Sequence, residues 1–380
     1  MIYNNVNFDS ILYNLDILTI IQICMLRFFG LILFLLHFSV NAEIKLGVSN
    51  ATSGPTKELG QDLNWGAELY FNEVNRKGGI NGEKISLLKL DDGYEPDRTV
   101  HNTKELLSKK VMGLFNFVGT PTTSAIINIL TRQKTPLITP FTGADFLRVH
   151  PNKVFNLRAS YEQEAYAQVN LLVGELGIKK IALFIQADEF GLALERYQLK
   201  AMREKGIKPV KVVRYKRNTE DVKKAADYLV KKDIEAILYV GTFRPLLSFM
   251  EYTQGKSFNP IYVTSSFVSS YRLFERIDTN KRVIVTEVVP DPNHCELKSC
   301  RLFRHLASFT EVKDYNRVHF EGFLNAMYVV NALRDCAVEN SEIERACFTK
   351  HLRRLQSKSD ISQNSPQGYE GKIYFSEFSM

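Results

Sequence analysis

From Ile44 onward, short apolar runs alternate with longer amphipathic stretches. Residues 44–49 form the first run and end in a turn-rich patch, 50–55. A helix is predicted over 61–77, because Leu63, Ala67, Tyr70, Phe71 and Val74 share one face. Gly78 and Gly79 stop it, and Asn81-Gly82 turns the chain into a second run, 85–90. Further strands are predicted at 111–118, 137–138, 180–185, 210–213, 236–240, 261–264 and 283–286. Helical patterns lie between them, clearest at 161–176 and 219–232. Alternating β and α elements imply parallel sheets covered by helices, and the number of strands favours two similar α/β lobes over one sheet. After 295 the pattern turns helical, at 296–309, 315–336 and 341–355, before a last strand at 372–375. Phe320, Phe323, Leu324, Met327 and Leu333 repeat at helical spacing and read as core.

The first residues read as an address. Met25-Leu26-Arg27 precedes a mostly apolar run, 28–38, and then Ser39-Val40-Asn41-Ala42. A positive start, a short apolar core and a small-x-small end describe a secretory signal with cleavage after Ala42. Asp9 and Asp16 fit an n-region poorly, so translation is expected to begin at Met25. An uncleaved anchor over 17–38 is the rival; Gln22 and Arg27 interrupt it.

Composition adds exclusions. The chain has 380 residues, 45% hydrophobic and 24% charged, as ordinary folded proteins do. Its net charge of +7 comes without a long basic run, so nucleic acid is not an expected partner. There is no phosphate loop, no G-x-S-x-G and no H-E-x-x-H, so neither an enzyme nor a bound cofactor is expected. His294, Cys295, Cys300 and His305 have a spacing that zinc could use. In an exported chain disulfides are the better reading. Cys336 and Cys347 lie at facing ends of two predicted helices, with Cys295 and Cys300 as the second pair. The other two connectivities stay open.

The chemistry-bearing loops follow strands, where ligands of open α/β sheets sit. They are 119–124 (GTPTTS), 139–145 (TPFTGAD) and Thr264-Ser265-Ser266. Hydroxyls and amides near a helix start either cap the helix or hold a small anion such as a carboxylate. Phe190, Phe243 and Phe267 hold similar post-strand positions and serve either as core or as the wall of a cleft.

These stretches resemble a known family. The motifs are Ser53-Gly54-Pro55, 72–82 (NEVNRKGGING), Leu90-Asp91-Asp92, 119–122 (GTPT), 138–148 (ITPFTGADFLR) and 154–160 (VFNLRAS). Together they are similar to the substrate-binding proteins of bacterial ABC transporters in the Leu/Ile/Val-binding family, over about 44–375. The resemblance implies a type I periplasmic binding protein: two doubly wound α/β lobes joined by a three-stranded hinge. Lobe 1 would comprise 43–161 plus 288–360, and lobe 2 would comprise 162–287 plus 361–380. Ligand would bind between them, with its carboxylate on Thr120 and on Phe141, Thr142 and Gly143. Leu59, Phe190 and Phe243 would pack around its side chain. The protein would sit in the periplasm and deliver an amino acid-like, carboxylate or amide ligand to an ABC permease in the inner membrane. A sensory or regulatory binding protein of the same fold is the alternative.

Two departures from the family pattern matter. Ser266, followed by Phe267, stands where amino-acid binders place an acid for the ligand's ammonium, and Gly143 replaces a threonine. A buried ammonium without a charged partner is costly, so a carboxylate or amide lacking one becomes a fair rival ligand. The chain also ends soon after 372–375, so lobe 2 is expected to lack its last strand or strands.

Overall fold

The apolar runs become the strands of two sheets. The computed structural model describes residues 43–277, 281–340, 342–359 and 372–378; the leader reading falls on 1–42, outside the described residues. The first half of the chain gives β1 (Glu43–Asn50), α1 (Lys57–Arg76), β2 (Lys84–Asp91), α2 (Pro96–Ser108), β3 (Gly113–Phe115), α3 (Thr120–Thr131), β4 (Leu137–Ile138) and β5 (Val154–Phe155). These strands pair in the order β2-β1-β3-β4-β5, all parallel.

The second sheet starts after α4 (Tyr161–Val169), which continues as a π-helical turn, Asn170–Glu175. It is built from β6 (Ile181–Gln186), α5 (Glu189–Glu204), β7 (Val212–Tyr215), α6 (Lys223–Leu229), β8 (Ala236–Val240), α7 (Phe243–Thr253), β9 (Ile261–Thr264), α8 (Ser270–Phe274) and β10 (Val283–Glu287). The chain then returns to the first lobe with α9 (Lys298–Ala307), α10 (Arg317–Glu339) and α11 (Arg345–Ser359). It ends in β11 (Tyr374–Phe378), which pairs antiparallel with β10 at the edge of the order β11-β10-β9-β8-β6-β7. The chain thus passes between sheets three times: after β5, after β10 and between α11 and β11. The expected pair of doubly wound α/β lobes is present.

Central strands β6, β8 and β10 are buried throughout, as parallel strands covered on both faces must be. Each lobe has its own apolar core, and a further cluster draws Leu59, Tyr94 and Phe141 from the first lobe and Phe190, Val263 and Phe267 from the second. Among the described residues, no helix is long and apolar enough to cross a membrane.

The strand predicted over 111–118 and the helix predicted over 219–232 are both shorter than the pattern predicts. Pairing over 111–118 is reduced to Gly113–Phe115 because Asn116 turns left-handed, with φ 52°. Thr139 on the neighbouring strand does the same at φ 48°, which is unusual for a β-branched residue. The kink is held by the Asn116 side chain, whose Oδ1 accepts from Thr139 (3.0 Å) and from Asn325 of α10 (2.8 Å). Pairing then resumes between Val118 and Phe141, so the two strand ends leave the sheet together. In the second lobe, the helix predicted over 219–232 forms only over Lys223–Leu229. The preceding residues are drawn to the first lobe, where Arg217 and Asn218 bond Glu95.

Candidate functional site

Thr120 opens α3 and Thr142 follows β4, and the paired kinks bring them together. Their hydroxyl oxygens are 2.8 Å apart, and the Tyr161 hydroxyl lies 3.1 Å from Thr142 and 3.4 Å from Thr120. All three residues are buried. The capping reading of the 119–124 loop does not apply to Thr120, because α3 has no side-chain cap. Thr122 and Thr123 instead turn their hydroxyls back onto the Val118 and Gly119 carbonyls. Burial pushes the Tyr161 phenol up to about 12, against bonds from Thr120 and Thr142 that favour its charged form. It therefore stays a neutral donor at ordinary pH.

Two glycines make this approach feasible. Gly119 has φ 106°, and a Cβ there would lie 2.3 Å from the Tyr94 ring. A Cβ on Gly143 would come within 2.8 Å of Ala159 and Tyr161, whose amide donates to the Gly143 carbonyl at 2.9 Å. Gly143 thus seats the first interlobe crossing against the β4 loop.

Aromatic rings from both lobes abut the hydroxyls. Phe267 meets Phe190 (4.6 Å between centroids), Phe141 (5.8 Å) and Tyr94 (5.9 Å), and Tyr161 meets Phe190 (5.4 Å). Asp188 fixes Phe190 by capping α5, accepting from the Phe190 and Gly191 amides at 3.1 Å. Leu59 of α1 joins the same cluster. Phe243 does not: it lies in the second lobe's core with Phe184 and Phe249.

Ser266 sits where a charged network crosses the hinge. Arg158, on the first crossing, points one terminal nitrogen at both Glu321 oxygens (2.7 Å each) and donates from the other to the Ser266 hydroxyl. Its guanidinium lies 4.0 Å from the Phe141 ring centre. Glu164 of α4 accepts from the Ser266 amide (2.8 Å), its hydroxyl (2.8 Å) and Thr286 (2.6 Å). Both buried carboxylates are therefore already engaged. Burial works against the charge of Arg158, but Glu321 and Glu164 outweigh it and raise its pKa. Among the described residues, the Arg158 Nε and the buried Ser265 hydroxyl have no hydrogen-bond partner. At the second crossing, burial pushes the Glu287 carboxyl up to about 7 against the pull of Arg317 and Ser270.

Ion pairs ring these groups. Arg196, Arg217, Arg244 and Arg272 of the second lobe meet Asp145 (3.0 Å), Glu95 (2.6 Å), Glu58 (3.3 Å) and Asp62 (2.8 Å) of the first. Burial disfavours the charge of Asp62, but His319, Arg272 and Asn316 outweigh it and hold its pKa at about 2.

Sequence reasoning passed over Tyr94, Arg158, Tyr161 and Glu164. Tyr94 carries the same signal as the phenylalanines, an aromatic just past a strand end. Arg158 lies inside the 154–160 motif and Tyr161 immediately follows it.

The four cysteines among the described residues lie at bonding distance in the expected pairs. Cys295–Cys300 has an S–S separation of 2.00 Å and Cys336–Cys347 one of 2.12 Å. The first bond removes both sulfurs from a zinc set with His294 and His305.

The profile of a family described as "Periplasmic binding protein" matches residues 43–366. A Leu/Ile/Val-binding protein homolog of Brucella melitensis is 26% identical over 170 residues, 44% of this chain and 46% of that protein. A Leu/Ile/Val/Thr-binding protein of Salmonella typhimurium is 23% identical over 206 residues, 54% of this chain and 56% of that one. The match thus spans about half the length of these curated relatives. Among solved structures, a possible leucine/isoleucine/valine-binding protein from Rhodopirellula baltica superposes with TM-score 0.80 at 30% identity, covering 90% of this chain and 98% of its own.

Proposed function

The chain belongs to the periplasmic binding protein family, and from that premise we propose that it is the periplasmic receptor of an ABC importer. It captures a small carboxylate or amide between its lobes and presents it to an inner-membrane permease. Its relatives are named as binders of leucine, isoleucine and valine, which supports a receptor for a small carboxylate-bearing molecule. The observation that carries the reading is the group of three buried hydroxyls, Thr120, Thr142 and Tyr161, set against rings contributed by both lobes.

The hydroxyls and the α3 N-terminus supply donors to a carboxylate or amide head. The rings of Tyr94, Phe141, Phe190 and Phe267 receive an apolar or aromatic tail. Beside Ser266, where the family pattern places an acid for an α-ammonium, both buried carboxylates are engaged: Glu164 by Ser266 and Thr286, and Glu321 by Arg158. A ligand without an ammonium is therefore favoured over an α-amino acid. These residues are buried, so entry requires the lobes to part. Closure over the ligand is the event a permease can sense.

Calorimetry tests this with aliphatic and aromatic carboxylates, their amides and the matching α-amino acids. Carboxylates or amides bind near micromolar, about −8 kcal/mol. Replacing Thr120 and Thr142 together by Ala weakens them roughly a hundredfold, because bonds to a charged group are lost. Binding of none of the panel, or unchanged affinity in the double variant, overturns the reading.

A further inference from the structure

A second concave site lies at the opposite pole of the first lobe. It is a groove of about 270 Å³ between α11 and the turns that lead into β4 and β5, lined by Lys134, Lys153, Arg345, Thr349, Lys350 and Arg353. Lys134 and Lys153 precede their parallel strands, whereas Thr120 and Thr142 follow theirs. The Arg345 guanidinium also bonds the carbonyls of Val111 (2.8 Å) and Met112 (3.2 Å), just ahead of β3. The groove therefore faces away from the cleft and shares no residue with it.

Its charge is largely uncompensated. No lining residue is acidic. Lys350 pairs with Glu339 at 2.7 Å. Among the described residues, Arg345 and Lys153 bond neutral carbonyls alone, the latter that of Gln133. Lys134 and Arg353 are exposed and have no hydrogen-bond or ion-pair partner among the described residues. Five cations thus line one hollow, and the ion pair they make among the described residues is that of Lys350 with Glu339. Clustered like charge is unfavourable unless an anion offsets it. The first turn of α11, at Arg345, adds the positive end of a helix.

We infer that this groove is an anion site, distinct from the cleft, that takes a phosphate-bearing ligand. Paired guanidinium and ammonium donors around a small concavity suit the tetrahedral oxygens of a phosphate. That group reaches the groove either as a free polyphosphate or as the phosphodiester head of an anionic lipid.

Two measurements on the full chain separate these sources. One titrates pyrophosphate by calorimetry at low salt. The other sediments the protein with vesicles of phosphatidylcholine containing phosphatidylglycerol. Binding in the first arm assigns a soluble phosphate, and binding in the second a headgroup. In either arm, Lys134→Glu with Arg353→Glu weakens binding at least tenfold. The control pair Lys205→Glu with Lys208→Glu, on the other lobe, changes it less than twofold. Affinity of the cleft ligand is unaltered in both variants, so failure here is distinct from failure at the cleft. Absence of binding in both arms, or equal losses in the two charge-reversed pairs, refutes the site.

Discussion

The floor of the cleft and its rim are built from opposite materials. On the floor, rings from both lobes touch beside hydroxyls of the first, and the charges beneath them are buried, Arg158 paired with Glu321 and Glu164 held by the Ser266 and Thr286 hydroxyls. On the rim, each of four contacts sets an arginine of the second lobe against an acid of the first. The floor is buried, so each contact there depends on shape and donor geometry and loses heavily when a partner is removed. The rim arginines are partly exposed, and such pairs are individually worth little and are screened by salt. Its one-sided polarity still matters, because all four contacts carry the same sense of charge. On the proposed function, selectivity would belong to the floor and the closing tendency to the rim.

The strongest way to break this contrast is to strip a charge from beneath the floor. Arg158→Ala leaves Glu321 and Glu164 buried without their cation. The expected loss is about 3–5 kcal/mol, read by urea unfolding. A loss below about 1 kcal/mol would show that water reaches the hinge and that floor and rim do not differ in kind.

Acid titration separates the two regions next. Glu287 sits at about 7 in the fold against an ordinary 4.5. The folded chain therefore binds more protons between those values, and stability falls as pH rises from about 4.5 to 7. Asp62 is held at about 2 against 3.8, so its contribution is present above 3.8 and is lost as pH falls through 2. Glu287→Gln should leave stability near pH 4 unchanged and raise it near pH 8, by at most on the order of 3 kcal/mol. A variant whose profile parallels the parent across this range excludes Glu287 as the titrating group.

How much of this is legible in the sequence differs between the regions too. The two sheets follow from the apolar runs, since 236–240 and 261–264 coincide with β8 and β9. Thr120, Thr142, Phe190 and Phe267 are visible because each follows a strand end, where a ligand is expected. The kinks at Asn116 and Thr139 are not visible, because the Asn116 side chain that joins them accepts from Thr139 and from Asn325, the latter 209 positions away. Arg158, Glu164 and Glu321 escape for the same reason: their pairing is set by hinge geometry and not by spacing. Phe243 shows the converse. Its position after β8 has the pattern of a cleft residue, yet α7 packs it into the core. The rim is the least legible part, as each partner is an ordinary surface charge until the lobes meet.

The smallest expected effect is the one that tests the rim directly. Arg244 and Glu58 are 3.3 Å apart, and the Arg244 side chain is 38% exposed. Arg244→Glu sets two acids face to face and should weaken cleft-ligand binding only a few-fold, under about 1 kcal/mol. Glu58→Arg combined with it restores the attraction with reversed sign, so the double variant should recover most of the loss. The same defect should shrink as salt rises, because the Debye length falls from about 10 Å at 0.1 M to about 3 Å at 1 M. A salt-independent defect that the swap fails to rescue would mean that Arg244 acts through its packing near Phe243, and the rim would then be an extension of the floor.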